Sequence, residues 1–307
     1  MLYQKVRPAC LDEFVGNVDA VLGLRNVLKQ DEKPHSYLIS GPSGCGKTTL
    51  ARILAKELEC HVVDIIEKNA ADVRGIDMVR ELIEMSRYLP LGGKNRLVIL
   101  DEAHMLTREA QNSLLKILED TPDYQYFCLC STEPERLLNT ILTRCMHVRL
   151  GHLSPMELVE VMLQACERGD IPIPSDVVLT EIVRRSDGSP RRALVLLEQQ
   201  IGLNEQESLK VVRSAAIDKN ELAGLGTDIL HKDWRAVSGK LKEIDEGALV
   251  SVWRGLMDYF SACLLGCVDK KGEVYARVLE ELGKWNEKTG KAGLMAIIWK
   301  LCLGSFV

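Results

Sequence analysis

The stretch Gly41-Pro42-Ser43-Gly44-Cys45-Gly46-Lys47-Thr48 decides the fold. It fits G-x-x-x-x-G-K-[ST] at every fixed position, with an apolar run, Tyr37-Leu38-Ile39, before it and a helical pattern after it. A strand, a glycine-rich turn and a helix form the context that makes this pattern a phosphate-binding loop. Glycines let the backbone wrap an anion closely with its N–H groups pointing inward, and the helix N-terminus adds partial positive charge. Gly41, Ser43, Gly44, Cys45 and Gly46, running on into Lys47, Thr48 and Thr49, are therefore expected to cradle the phosphates of a nucleoside triphosphate, read as ATP. Lys47 can reach the β- and γ-phosphates, and the Thr48 hydroxyl can ligate Mg²⁺. A chance glycine-rich turn would not carry both flanks.

Working outward, strands and helices alternate. Leu50 to Leu58 is helical, with apolar residues at 50, 53, 54 and 58. Val62 to Ile66 reads as a strand, Val79 to Met85 as a helix, and Arg96 to Leu100 as a strand apolar on both faces, as parallel sheets require. A helix over Glu109 to Leu118 and strands over Tyr126 to Cys130 and Met146 to Leu150 follow. Such alternation implies an α/β fold with a parallel, doubly wound sheet. After Leu150 the pattern changes. Ser154-Pro155-Met156-Glu157 is a capping box with proline at the first helical position, and helices alone follow. A weak boundary lies at Gly202-Leu203-Asn204. The expected layout is an α/β domain over residues 1–150, a short helical domain over 151–202 and a longer helical domain over 203–307.

Further chemistry sits where strands end. The Leu97 to Leu100 strand runs into Asp101-Glu102, and carboxylates there lie in the crevice where parallel sheets bind ligands. Asp101, with Thr48, is expected to hold the Mg²⁺ shell, and Glu102 to activate the attacking water. The next strand ends in Ser131-Thr132-Glu133, where a polar side chain can meet the γ-phosphate or the lytic water; an ordinary strand-to-loop transition is the even alternative. Arg144, in Leu142-Thr143-Arg144-Cys145, has no obvious partner in its own chain and suits an arginine finger inserted into a neighbour's site; a surface arginine is the plain alternative. Gly188-Ser189-Pro190-Arg191-Arg192 opens a helix with two cations that oppose its dipole, so at least one of them suits an anionic partner; an exposed pair is the plain alternative. Asp101-Glu102-Ala103-His104 also spells the DEAH of a helicase, but only helices follow residue 150, leaving no room for the second RecA-like domain such an enzyme needs.

Composition narrows the class. The chain has 307 residues, 46% hydrophobic and 27% charged, and a net charge of −5. Charge alone therefore offers no argument for nucleic acid, although a few basic side chains can be focused into one channel. No apolar run approaches the roughly 20 residues of a membrane span, and Met1-Leu2-Tyr3-Gln4-Lys5 lacks a signal peptide's apolar core; a cytoplasmic protein is expected. The ten cysteines include no C-x-x-C pair. In a reducing cytosol they read as small buried hydrophobes rather than disulfide or zinc ligands.

In this order and spacing, the P-loop, Asp101-Glu102, Ser131-Thr132, Thr143-Arg144-Cys145 and Gly188-x-x-Arg191 resemble the AAA+ sliding-clamp loader ATPases. That family includes the bacterial DNA polymerase III gamma/tau subunit and, more distantly, the small subunits of replication factor C. Arg7-Pro8 with Phe14-Val15-Gly16-Asn17 looks like the family's adenine-pocket segment, and Gln111 to Glu119 like its helix after the acidic strand end. The likeness covers about residues 3–200; beyond 203 it rests on helical character and length. It implies a RecA-like AAA+ domain, a helical lid and an all-helical collar that closes a pentameric ring. It puts sensor 1 on Thr132, the trans finger on Arg144, sensor 2 on Arg191, and an adenine pocket on Arg7, Pro8 and Val15. It implies other loader subunits, a sliding clamp and primer–template DNA as partners, with Arg74 and Arg108 as candidate DNA contacts. Thr143 stands where the family's finger motif has serine. Glu59-Cys60-His61 runs almost directly into a strand, where the bacterial subunit carries a four-cysteine zinc module, so no zinc is expected. An extension that tethers polymerase and helicase is not expected either. The rival readings are another AAA+ DNA motor, such as a branch-migration helicase, and a scaffold that binds ATP only to hold a ring.

Overall fold

The computed structural model describes residues 1–72, 75–215, 219–242, 249–267, 271–286 and 289–303. They form two compact units, Met1–Ile171 with Gly188–Val195 and Pro172–Asp187 with Leu196–Val307.

The first unit is built on α1 (Leu2–Lys5), α2 (Val18–Leu28), β1 (Ser36–Ser40), α3 (Lys47–Glu57), β2 (Cys60–Asn69), α4 (Ile76–Met85), β3 (Asn95–Asp101), α5 (Arg108–Glu119), β4 (Gln125–Ser131), α6 (Asn139–Leu142), β5 (Met146–Arg149) and α7 (Pro155–Gly169). The five strands make one parallel sheet in the order β2-β3-β4-β1-β5. From β1 the chain crosses to β2, returns through β3 and β4, and then places β5 on the far side of β1. That reversal gathers the C-terminal ends of β1, β3 and β4, where α/β sheets bind ligands.

Strand alternation explains why both faces are covered. Tyr37, Ile39, Leu97, Ile99, Cys128 and Cys130 point to one side, against Leu24 of α2 and Leu50, Ile53 and Leu54 of α3. Leu38, Val98, Leu100, Phe127 and Leu129 point to the other, against Val79 and Leu82 of α4, Leu114 and Ile117 of α5 and Ile141 of α6. Each fully buried aliphatic side chain contributes about 1.5–3 kcal/mol. The expected strands are all present. β2 is longer than its apolar core, because Val62 and Val63 lie exposed where its register with β3 is irregular between Cys60 and Ile65.

Two buried charges fix the segment between α4 and β3. Asp64 accepts from the N–H groups of Leu91 (2.6 Å), Gly92 (2.8 Å) and Gly93 (3.0 Å). Arg96 donates to the carbonyls of Met85 (2.7 Å), Tyr88 (3.0 Å) and Leu89 (3.0 Å). Burial pushes the Asp64 carboxyl up, but the three N–H bonds and the Arg96 charge outweigh it and hold it below the usual carboxylate range.

Helix α7 opens with the expected capping box: Ser154 Oγ accepts from Glu157 N–H, and the Glu157 carboxylate accepts from Ser154 N–H at 2.7 Å. The remaining helices are α8 (Asp176–Ser186), α9 (Pro190–Gln199), α10 (Glu205–Ala215), α11 (Lys219–Leu230), α12 (Trp234–Lys242), α13 (Leu249–Leu265), α14 (Lys271–Leu282) and α15 (Gly290–Leu303). In the second unit, Ile229, Val237, Val252, Leu256, Phe260, Val278, Leu282, Leu294 and Ile298 form one apolar core. Glu181 of α8 is buried against Arg185, which also donates to the Arg213 carbonyl at 2.9 Å. Burial raises the Glu181 carboxyl, yet the Arg185 hydrogen bond and the neighbouring Arg184 and Arg213 charges leave it below its ordinary value. Among the described residues, all secondary structure after β5 is helical, and no helix is long and apolar enough to cross a membrane.

Candidate active site

The P-loop links β1 to α3 over a cavity of about 310 Å³. Two of its glycines are required by geometry. Gly46, the N-cap of α3, has φ 106°, a region that glycine alone adopts at little penalty because it has no Cβ. A Cβ on Gly41 would stand 2.4 Å from the Leu150 carbonyl oxygen at the end of β5. Gly41 is also tied to β4, its N–H donating to Ser131 O at 3.2 Å.

Lys47 is the first residue of α3 and only 6% exposed. Its ammonium donates to the carbonyls of Gly41 (2.9 Å) and Pro42 (3.0 Å), which holds it inside the loop. The next residue reaches the acidic strand end: Thr48 Oγ1 donates to Asp101 Oδ2 at 2.7 Å. A hydroxyl and a carboxylate are hard oxygen donors that suit Mg²⁺, so the residues present fit that ion.

Glu102 follows Asp101 with φ 50° and ψ 43°, left-handed backbone that a glutamate adopts only under constraint. Its N–H donates to Asp101 Oδ1 at 3.0 Å, and its Oε2 accepts from Thr132 Oγ1 at 3.3 Å. The αL turn aims the carboxylate along the crevice toward β4 instead of into the sheet, which is how residues at the ends of two different strands meet.

The other end of the cavity is lined mostly by apolar side chains, with a few polar ones among them, and is framed by the N-terminal segment and α7. Tyr3, Val6, Arg7, Pro8, Phe14 and Val15 line it from one side, and Leu153, Val161, Gln164, Ala165 and Arg168 from the other. Burial and the neighbouring Arg52 lower the Arg7 guanidinium from its ordinary value. Arg191, in the first turn of α9, stacks over the Tyr3 ring at 5.6 Å, and its N–H donates to Gly44 O at 3.3 Å.

The cavity thus brings together Arg7, Pro8, Val15, Ser43, Gly44, Cys45, Gly46, Lys47, Thr48, Thr49, Asp101, Glu102 and Arg191, with Gly41 joined through Lys47 and Thr132 through Glu102. Arg144 and Arg108 are not among its lining residues. Arg108 is exposed at the first position of α5, and Arg74 lies outside the described residues. The reading that Arg144 has no partner in its own chain is corrected: it forms an ion pair with Glu119, at the end of α5, and donates to Thr140 O at 2.9 Å. The pairing joins the end of α5 to the turn after α6, which strand-and-helix patterning does not bring together. Sequence reasoning also missed Tyr3, Val6 and the α7 wall. Val161, Gln164, Ala165 and Arg168 do carry a signal, since their spacing puts them on one helix face.

Known proteins resemble this chain in the same parts. The family model described as DNA polymerase III, delta subunit, matches residues 62–154, and one described as Zeta toxin matches residues 18–83, which include the P-loop. A DNA polymerase III gamma/tau subunit of Mycobacterium tuberculosis is 36% identical over 221 residues, covering 64% of this chain and 38% of the relative. The tau/gamma subunit of Haemophilus influenzae is 32% identical, covering 67% of this chain and 33% of the relative. The chain therefore spans little more than a third of these relatives' length. The gamma subunit of Buchnera aphidicola is 30% identical over 257 residues, covering 76% of this chain and 69% of that one. Among solved structures, the RuvB Holliday junction branch migration motor of Thermotoga maritima matches with a TM-score of 0.60 at 22% identity, covering 83% of this chain and 91% of that one. At that identity the likeness is one of fold alone. Identity that persists across three distant bacteria and, in the third, over most of both chains has one explanation in common descent: this chain belongs to the DNA polymerase III gamma/tau family.

Proposed function

We propose that the chain is an ATPase subunit of a DNA replication clamp loader, which opens a sliding clamp and loads it onto primer–template DNA. The carrying observation is the contact of Thr48 with Asp101, beside Glu102 held by Thr132, on the P-loop of a gamma/tau family member.

Each residue's role follows from its position. The P-loop N–H groups and Lys47 bind phosphate, with Lys47 exchanging its carbonyl partners for phosphate oxygens. Arg7, Pro8 and Val15 hold the base at the apolar end. Thr48 and Asp101 would hold Mg²⁺, which when bound offsets phosphate charge. Glu102 orients the attacking water and takes its proton; Thr132 holds Glu102 and senses the γ-phosphate. Arg191 faces the phosphates as sensor 2, with Tyr3 bracing its guanidinium. Arg144 leaves Glu119 to act as a finger in a neighbouring subunit's site.

In this reading residues 1–150 are the motor, 151–202 the lid and 203–307 the collar of a pentameric ring, with other loader subunits, the clamp and DNA as partners in the cytoplasm. Arg74 and Arg108 are offered as DNA contacts. The test is the ATPase rate with primer–template DNA, with and without the cognate clamp and companion subunits. Synergy between clamp and DNA supports the proposal. Stimulation by DNA alone, indifferent to clamp, would replace it with another AAA+ DNA motor. Nucleotide binding with no turnover under any condition would leave a scaffold.

A further inference from the structure

His104 is the polar member of the Asp101-Glu102-Ala103-His104 stretch that the proposed reaction leaves without a task. It sits in the single 3₁₀ turn, Ala103–Met105, that follows Glu102, and its side chain is only 6% exposed. The ring lies between two carboxylates. Its Nδ1 is 3.4 Å from Glu102 Oε2 and 3.3 Å from Ser131 Oγ, and its Nε2 is 3.5 Å from Glu133 Oε1. Glu133 is anchored in turn. Its N–H donates to Ser131 Oγ at 3.1 Å, and its carboxylate pairs with Arg136 at 2.9 Å.

A buried imidazole needs polar partners only to be satisfied, and one partner on each nitrogen would do that. The placement does more. Thr132 touches Glu102 Oε2 from the β4 side, and His104 touches the same oxygen from the turn beneath. The carboxylate is thereby approached from two directions, while its own backbone is left-handed and its side chain is about a third open to solvent. The ring's far nitrogen carries the grip to Glu133 and the surface ion pair with Arg136.

We propose that His104 is a positioning residue for Glu102, bracing the carboxylate against the end of β4 through Ser131 and Glu133. The inference rests on the reading of Glu102 as the residue that activates water. A brace of this kind acts on the hydrolytic step and not on nucleotide binding, since His104 pairs with Glu102, Ser131 and Glu133 and does not line the cavity.

Two substitutions separate bracing from packing. Asparagine reproduces the reach of Nδ1 toward Glu102 and Ser131, and glutamine reproduces that of Nε2 toward Glu133; only histidine spans both. Single-turnover ATP hydrolysis and ATP affinity are measured for H104N, H104Q, Glu133→Gln and the H104Q/Glu133→Gln pair in the assembled, DNA-stimulated complex. The expected result is a hydrolysis rate down by about 10–100-fold in H104Q, with the Kd for ATP within about twofold of the starting protein. H104N should keep more of the rate than H104Q. Glu133→Gln, a change at a surface-reaching side chain that leaves the fold intact, should slow hydrolysis modestly and add less in the H104Q background than alone, as residues of one network do. Unchanged hydrolysis in H104Q, or equal losses of hydrolysis and ATP affinity, would overturn the inference. Glu102→Gln serves as the control. If it too hydrolyses normally, the reading of Glu102 has failed; if it is inactive while H104Q is normal, only the brace has failed.

Discussion

Thr48 Oγ1 lies 2.7 Å from Asp101 Oδ2, although 53 residues separate them. One opens the helix after β1 and the other closes β3, and β4 runs between those strands in the sheet. The pair exists only because the chain leaves β1, crosses over and returns. It therefore reports the topology and the chemistry together.

Thr48→Val keeps the shape and removes the oxygen. ATP binding in the presence of Mg²⁺ should weaken toward the metal-free value, while binding in chelator should change little. Titrations of labelled nucleotide with and without Mg²⁺ read both; an undiminished Mg²⁺ effect would remove Thr48 from the metal's shell.

Glu102→Gln keeps the contact with Thr132 but cannot take a proton. Turnover should fall by about 100-fold or more, with ATP affinity preserved and, under the clamp-loader proposal, the complex held on clamp and DNA. Steady-state phosphate release beside equilibrium nucleotide binding decides it.

Arg144 must exchange Glu119 for a neighbour's nucleotide if it is a finger. Arg144→Ala should leave each subunit's ATP binding intact and lower turnover in the assembly by about 10³-fold or more. Glu119→Gln should not lower it. Rings that mix Arg144→Ala with Glu102→Gln subunits should regain turnover wherever an intact finger faces an intact site. Full activity of the uniform Arg144→Ala ring would return this arginine to a surface ion pair.

Much of this site was legible in the sequence, and the reason is locality. The P-loop, Asp101-Glu102 and the capping box at Ser154 are each written in consecutive residues whose chemistry needs that spacing. The apolar runs of β3 and β4 read as buried strands because both their faces are covered. The missed parts depend on distant segments. Tyr3 lies in a four-residue helix too short to show periodicity, Val6 just after it, and only the fold brings them to α7. The Arg144 pair with Glu119 spans 25 residues and two helices. His104 was read as a letter in a motif because its Glu133 contact depends on where β4 ends.

Gly41→Ala should strain the loop, since the added Cβ meets the Leu150 carbonyl oxygen, which cannot rotate away. A stability loss of about 1–3 kcal/mol is expected, along with weaker ATP binding. Urea unfolding and nucleotide titration check the two effects, and an unchanged midpoint would mean that the end of β5 gives way.

Acid should loosen the segment after α4. The folded Asp64 carboxyl is held below its unfolded value, so its contribution is full above about pH 4 and is lost as pH falls through the folded value. Asp64→Asn has one acceptor oxygen, which can stay on the N–H groups of Gly92 and Gly93 only with its NH2 turned against the N–H of Leu91, and should cost about 1–3 kcal/mol. Urea midpoints from pH 6 to pH 3 should fall less steeply in the variant; parallel curves would move the pH dependence elsewhere.

The left-handed backbone at Glu102 sets durability against work at a single position. Glycine there would relieve strain of about 1–2 kcal/mol and, on that ground alone, give a sturdier protein, yet one without the carboxylate that Thr132 and His104 hold. Screens that reward heat resistance will therefore be drawn toward this residue, and screens that reward turnover will reject the same change.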